Sequence, residues 1–263
     1  MNSHAPTLVT MRGVTKHYGM VRAVHEVDLD ISHGEIVAIA GDNAAGKSTL
    51  IKVLSGAVRA DRGDILIEGV AHRIGSPTDA RALGIETIYQ DLALLPNLDV
   101  VSNIFLGRER MAPGLLRCLG VVSRRRMLKE ARTHLSDLHI KIPSISRTPV
   151  GSLSGGQRQT VAIARSAAWA SKLMIMDEPT AALGVAQSKA VLELASRVRE
   201  RGASVVIISH ILPHVLDLAD RIVVMRHGEK VADMPAEDVT QDRLIELIVG
   251  FKQSELTTIE ERR

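Results

Sequence analysis

The segment Gly41-Asp42-Asn43-Ala44-Ala45-Gly46-Lys47-Ser48-Thr49 constrains this chain more than any other. It follows the apolar run Ile36 to Ala40 and leads into a helical pattern through Leu50, Val53 and Leu54 to Gly56. Two glycines with four residues between them, followed by Lys-Ser, form a loop whose backbone N–H groups and helix N-terminus face phosphate oxygens. In that setting Lys47 reaches the terminal phosphates and Ser48 ligands Mg²⁺, with Asn43, Gly46 and Thr49 around the phosphate chain. A glycine turn that binds nothing is the rival reading, and the strand, loop, helix order argues against it. Ala44 carries a methyl inside the loop, so it is expected to take a backbone conformation open to L-residues while keeping its amide donor.

Apolar runs spaced along the rest of the chain predict strands alternating with helices. Val27, Leu29 and Ile31 alternate with Asp28 and Asp30, and Asp64 to Ile67, Ile85 to Tyr89, Leu173 to Met176, Val205 to Ile208 and Arg221 to Met225 are strand-length. Helical patterns follow Gln157 and run through Val191, Leu194, Ala195 and Val198, with a last helix over Asp242 to Val249. Such alternation predicts an α/β fold with a mainly parallel core sheet, helices on both faces and ligands at the strands' carboxyl ends. Between Asp91 and Ser152 prolines and helical patterns replace strand signals, which predicts an inserted helical subdomain, placed at 91–160 within a single domain 1–250. Residues 251–263 form a charged tail.

With 263 residues, 45% of them hydrophobic, the chain can bury a large core. Its net charge of +3 is too small and dispersed for a nucleic-acid footprint, so no nucleic-acid partner is expected. Arg124-Arg125-Arg126 is the one tight basic cluster; after the candidate cap Ser123 it opens a stripe of Leu128, Ala131, Leu135 and Leu138, and it reads as a solvated helix face before a binding patch. The single cysteine, Cys118, has no internal disulfide partner, and Met1 to Gly13 lack a charged-then-apolar leader, so the chain reads as unexported. No apolar run approaches the ~18 residues that span a bilayer, and any membrane role is expected to come through a partner.

Two further strings narrow the reading. Asp177-Glu178 ends the Leu173 strand and is followed by Pro179-Thr180, placing two carboxylates at a strand's carboxyl end. Leu153-Ser154-Gly155-Gly156-Gln157 opens a helix with Ser154 as cap and its glycine N–H groups presented to an anion, a second phosphate-binding end. With the glycine loop, these strings resemble the ATP-binding cassette family, the ATPase subunits of membrane transporters, over most of the chain. The resemblance implies a P-loop cassette with an N-terminal antiparallel β subdomain, ATP and Mg²⁺ as ligands, and specific roles. Gly41 to Thr49 hold phosphates, Tyr18 stacks adenine, Asp177 supports Mg²⁺ with Ser48 and Gln90, Glu178 is the general base, Gln90 senses the nucleotide and His210 touches the γ phosphate. Ser154, Gly155, Gly156 and Gln157 would bind the γ phosphate held by a second cassette. Function then requires a dimer, most simply a homodimer.

The resemblance also implies integral membrane permease subunits, an indirect link to a periplasmic sugar-binding protein, and a peripheral position on the cytoplasmic face of the inner membrane. Leu92, Leu94, Leu95, Pro96 and Leu98 cluster after Gln90 where a permease helix would dock; each single leucine reads first as subdomain core, so the docking reading rests on the set. One departure stands out. After Thr180 the family usually shows Ser-Ala-Leu-Asp, and here Ala181-Ala182-Leu183 precedes Gly184. That version resembles ATPases of bacterial importers for ribose, xylose and fructose, and a single-cassette chain looks most like the fructose type. The rival readings are a cassette for another solute, a nucleic-acid or ribosome-associated cassette, and a regulatory cassette with little turnover. The lack of a second P-loop and of long heptads disfavours the nucleic-acid class, and Glu178 with His210 disfavours the regulatory one.

Overall fold

The computed structural model describes residues 6–88, 93–140, 142, 145–180, 184–209 and 211–250. In chain order the strands are β1 (Thr7–Tyr18), β2 (Val21–Ser32), β3 (Ile36–Ala40), β4 (Arg62–Ile67), β5 (Val70–Ala71), β6 (Ile85–Ile88), β7 (Leu173–Asp177), β8 (Ser204–Ile208), β9 (Arg221–Arg226) and β10 (Glu229–Pro235). The helices are α1 (Lys47–Leu54), α2 (Pro77–Ala82), α3 (Val100–Ile104), α4 (Leu115–Cys118), α5 (Arg124–Asp137), α6 (Gly155–Trp169), α7 (Val185–Glu200), α8 (Leu212–Leu218) and α9 (Gln241–Val249).

Two sheets result. β2, β1, β4 and β5 form an antiparallel sheet, and the larger sheet has the order β10-β9-β3-β8-β7-β6, parallel except for β9 with β10. The central strands are apolar at every position because both faces are covered. Val37, Ile39, Leu173, Ile175, Val206 and Ile208 face the antiparallel sheet and α1. Their neighbours Ile36, Ala38, Met174, Met176, Val205 and Ile207 pack into a second core with residues of α7, α8 and α9. Arg221 closes one corner, donating to Glu35 at 2.6 Å and Asp233 at 2.5 Å, so that β9, β10 and the turn before β3 share one cation.

The third core belongs to the helices. Val100, Val101, Ile104 and Phe105 pack against Met127, Ala131 and Leu135 of α5 and Val161, Ala164 and Ala168 of α6. The stripe expected on α5 is there with one substitution: Met127 is buried where Leu128 was expected, and Leu128 is half-buried. Ser123 precedes α5, but its side chain makes no capping bond. The triple-arginine face is exposed, with Arg124 reaching across to Asp99 and the Ser146 carbonyl.

Fully buried Asn103 organises the segment leading into this lobe. Its Oδ1 accepts from the Leu95 amide at 2.8 Å, and its Nδ2 donates to the carbonyls of Leu95 at 3.1 Å, Leu98 at 3.2 Å and Asp99 at 3.0 Å. With that backbone pinned, Leu95 and Pro96 stay exposed, while Leu94 joins the helical core and Leu98 is half-buried. Leu92 lies outside the described residues. Asn103→Ala leaves buried backbone groups unpaired and is expected to destabilise the chain by about 1 to 3 kcal/mol, read as a lowered denaturation midpoint.

Candidate nucleotide-binding site

β3 ends at Ala40 in the centre of the larger sheet, and the chain turns through residues 41 to 46 into α1. That turn is tight. Gly41 has φ +153° and Gly46 φ +97°, and a Cβ on either would lie 2.3 Å from a backbone oxygen, of Met225 and Ala23 respectively. Both positions therefore demand glycine on space as well as conformation. Ala44 takes φ +64°. The expectation of an ordinary L-residue conformation there is corrected: the loop drives Ala44 into the left-handed region, at a cost of roughly 1 to 2 kcal/mol.

Neighbouring strands hold this strained loop. The Gly228 amide, in the turn between β9 and β10, donates to Ala45 O at 3.1 Å, and Gly228 O accepts from His25 N at 2.8 Å. His25 is free to do so because β2 bulges: between the pairs Val14↔Val27 and Lys16↔Val24, β2 advances one residue more than β1. Glu26 at the bulge has φ +47°, and buried Thr15 fixes it by accepting from its amide at 3.0 Å. Thr15, Ala23, His25 and Gly228 thus shape the site, and none was picked out by sequence. A signal existed for Gly228 in the turn pair His227-Gly228; Thr15 and Ala23 carried none.

Lys47 is buried at the floor, its Nζ donating to Gly41 O at 2.8 Å and Asp42 O at 2.7 Å. Burial lowers the ammonium pKa, opposed by the charges of Glu178, Asp42 and Asp177. Asn43 donates its amide to the Asp42 side chain at 2.7 Å, and Ala45 N to Asp42 O at 3.1 Å. Asn43 to Thr49 line an open cleft of about 260 Å³ with Tyr18, Val21, Arg22, Ala23 and Glu178. Tyr18 is 47% exposed at the end of β1, with Lys16 Nζ 5.7 Å from its ring centroid, and presents an aromatic surface beside the loop.

The two carboxylates sit at the carboxyl end of β7, which is separated from β3 by β8. Asp177 ends β7, is buried, and accepts from Ser48 Oγ at a long 3.4 Å. Burial, then repulsion from Glu178, raises its pKa. Glu178 has φ +49°, held by its amide donating to Ile208 O at 3.0 Å on β8. A non-glycine residue in that conformation at a strand end aims its side chain into the cleft rather than along the sheet. Paired acidic groups with the Ser48 hydroxyl beside them suit a hard divalent ion completed by phosphate and water oxygens. No cluster of three or more His, Cys, Asp or Glu exists among the described residues. Gln90 and His210 lie outside the described residues.

Ser154 and Gln157 form a reciprocal capping box at the start of α6: Ser154 Oγ accepts from Gln157 N at 3.3 Å and Gln157 Oε1 accepts from Ser154 N at 2.9 Å. Helix geometry leaves the Gly155 and Gly156 amides without intrahelical acceptors, so they face outward at the positive end of α6. These residues do not line the cleft around Lys47. Gly184 caps α7 with no side-chain bond, which records the missing carboxylate in local structure.

A phosphate loop at the centre of this doubly wound sheet, with carboxylates at the end of β7 one strand beyond β8, defines a P-loop nucleoside triphosphatase. Residues 24–181 match the ABC transporter family model. The chain is 47% identical over 247 residues to the fructose import ATP-binding protein of Rhizobium meliloti, covering 94% of this chain and 95% of that protein. It is 43% identical over 255 residues to the xylose/arabinose import ATP-binding protein of Sulfolobus acidocaldarius, covering 97% and 99%. An ATP-binding cassette of an ABC transporter in its ADP conformation superposes with a TM-score of 0.79 at 26% identity, over 93% of this chain and 99% of that one. A dimeric post-hydrolysis cassette bound to ADP and Pi gives 0.74 at 25% identity, over 87% and 99%. The chain belongs to the ABC transporter family, as one of its ATP-binding cassettes.

The raised Asp177 pKa carries a pH signature. A carboxyl whose folded pKa exceeds its unfolded value destabilises the fold once ionised, so stability is fully present below the unfolded pKa of about 4 and is lost as pH rises through the folded one. Asp177→Asn is therefore expected to melt above wild type at pH 7 without nucleotide, the gap closing toward pH 4. Thermal unfolding across that range checks the sign; a gap that widens on acidification contradicts it.

Proposed function

We propose that this cassette hydrolyses ATP to energise sugar import through a membrane permease, and that it works as a pair of identical chains. The observation that carries this reading is the convergence of Lys47, Ser48 and Glu178 on one cleft, with Asp177 bonded to Ser48 beside it, in a chain whose full-length relatives are sugar import ATP-binding proteins. In this reading the amides of residues 41–49 and Lys47 bind the triphosphate and Tyr18 stacks on adenine. Ser48, Asp177 and Gln90 would hold Mg²⁺, which would supply the positive charge that buried Asp177 lacks in the bare site. Glu178 orients and deprotonates the attacking water, with His210 at the γ phosphate. The exposed Ser154 to Gln157 end completes the cleft of a second copy, which suits its distance from the cleft of its own chain.

The permease and, through it, a periplasmic sugar-binding protein are the remaining partners, placing the cassette on the cytoplasmic face of the membrane. No helix among the described residues is long and apolar enough to cross a bilayer, in keeping with attachment through partners. The inserted helical subdomain at 91–160 would carry that attachment, and Leu95 and Pro96 are exposed apolar residues near its start. Co-purification with the permease encoded alongside it, followed by a screen of sugars for stimulated hydrolysis, tests the whole reading; stimulation by no sugar would defeat it.

Glu178→Gln keeps the side chain's shape and removes its basicity. Hydrolysis is expected to fall by ~10² to 10⁴, the range for a lost general base, with ATP binding retained in titration calorimetry. Turnover within a few fold of wild type would take Glu178 out of the mechanism. On the partner side, Leu95→Asp should cut recruitment to permease-containing membranes while thermal stability stays at the wild-type value, because the side chain is already exposed. A stability loss equal to that of Asn103→Ala would instead make Leu95 a packing residue.

A further inference from the structure

A hairpin outside the nucleotide cleft has the surface of a membrane-binding element. Residues 110–123 fold back on themselves: Ala112 N donates to Val121 O at 2.8 Å, Ser123 N to Arg110 O at 2.6 Å, and Met111 bridges Val122. The short helix α4 lies at its tip. A small apolar hairpin normally tucks its side chains inward, yet Met111 (39% exposed), Leu119 (72%), Val121 (41%) and Val122 (43%) all face solvent. The shape is a ridge and not a groove, since a Cβ added at Gly114 or Gly120 would meet nothing within 4 Å.

The base of the ridge is rigid and its charge is one-sided. Arg110 pairs with Glu130 at 2.7 Å and stacks near Trp169, 5.3 Å from the ring centroid, and Arg124 pairs with Asp99. The nearby acids are thus occupied, Glu109 too, which accepts from the Gly107 amide at 3.0 Å. Arg117, Arg125 and Arg126 are exposed and make no ion pair among the described residues. The surplus is cationic, and in the chain it flanks apolar side chains that stay exposed among the described residues.

We propose that this hairpin is a membrane-surface anchor, its apolar tip entering the headgroup region of an anionic leaflet while Arg117, Arg125 and Arg126 meet lipid phosphates. Lipid supplies both complements at once: a negative surface for the arginines and an apolar layer beneath it for Leu119, Val121 and Val122. A protein partner would need a pocket shaped to a protruding ridge and acids spaced to match. The anchor would orient the cassette on the membrane independently of the permease contact at Leu95.

Vesicle flotation of the full chain tests this. Wild type is expected to float with vesicles of equal parts phosphatidylglycerol and phosphatidylcholine, to stay down with phosphatidylcholine alone, and to be released at about 1 M salt, where screening shortens to about 3 Å. Leu119→Asp/Val122→Asp and Arg125→Glu/Arg126→Glu should each lower the floated fraction about tenfold or more. All four side chains face solvent, so unchanged thermal unfolding verifies the fold, and Leu95→Asp should float like wild type. The proposal fails if wild type ignores protein-free anionic vesicles, in which case the ridge is a protein-docking surface, or if the folded variants float as well as wild type.

Discussion

The site depends on one constraint: a glycine loop must be held in a strained, open turn between a strand and a helix. Its own bonds do this only in part, Asn43 N donating to the Asp42 side chain and Ala45 N to Asp42 O, so the turn needs further support to hold its shape. Here the support comes from outside the loop. The Gly228 turn and the bulged edge of β2 grip Ala45 and close over Gly46, and β9 presents the Met225 carbonyl so near Gly41 that no side chain fits between. The antiparallel sheet, far from the carboxylates in sequence, is thereby part of the phosphate site. Strain at Ala44 and Glu178 is tolerated because the strands on either side are buried on both faces and do not yield.

The same division explains what could be read before any coordinates. Signals that are local in sequence were legible: the glycine spacing, the Asp-Glu pair at the end of β7, the helix cap at Ser154 and the double-faced apolar strands. Each is a short string whose physics is complete within a few residues. What escaped were contacts that arise only once a segment folds back onto a neighbour. Thr15 is an ordinary strand threonine until β2 bulges against it, and Asn103 looks like a helix residue of poor propensity until the loop at 95–99 folds onto its amide. β10 and α8 were missed because half-exposed alternation and a seven-residue helix give weak patterns. The left-handed Ala44 was missed for a different reason, since a methyl reads as a conformational limit only if the loop is free to obey it.

The helical lobe meets the core through few polar contacts, and their placement matters more than their strength. Arg108, stacked 4.9 Å over Trp169, pairs with Glu86 on β6, the strand that runs toward Gln90. Gln159 on α6 donates to Pro179 O at 2.9 Å, directly after Glu178. Glu86 is buried, and desolvation raises its pKa despite the opposing arginine, so the ion pair returns little net stability. A buried pair of that kind serves to fix register between the bodies it joins. Gln159 ties the helix bearing the outward Gly155 and Gly156 amides to the residue after Glu178, and Arg108 ties the segment after α3 to β6. A shift of α6 on the sheet is therefore transmitted directly to the chain beside the β7 carboxylates, and through Arg108 to β6.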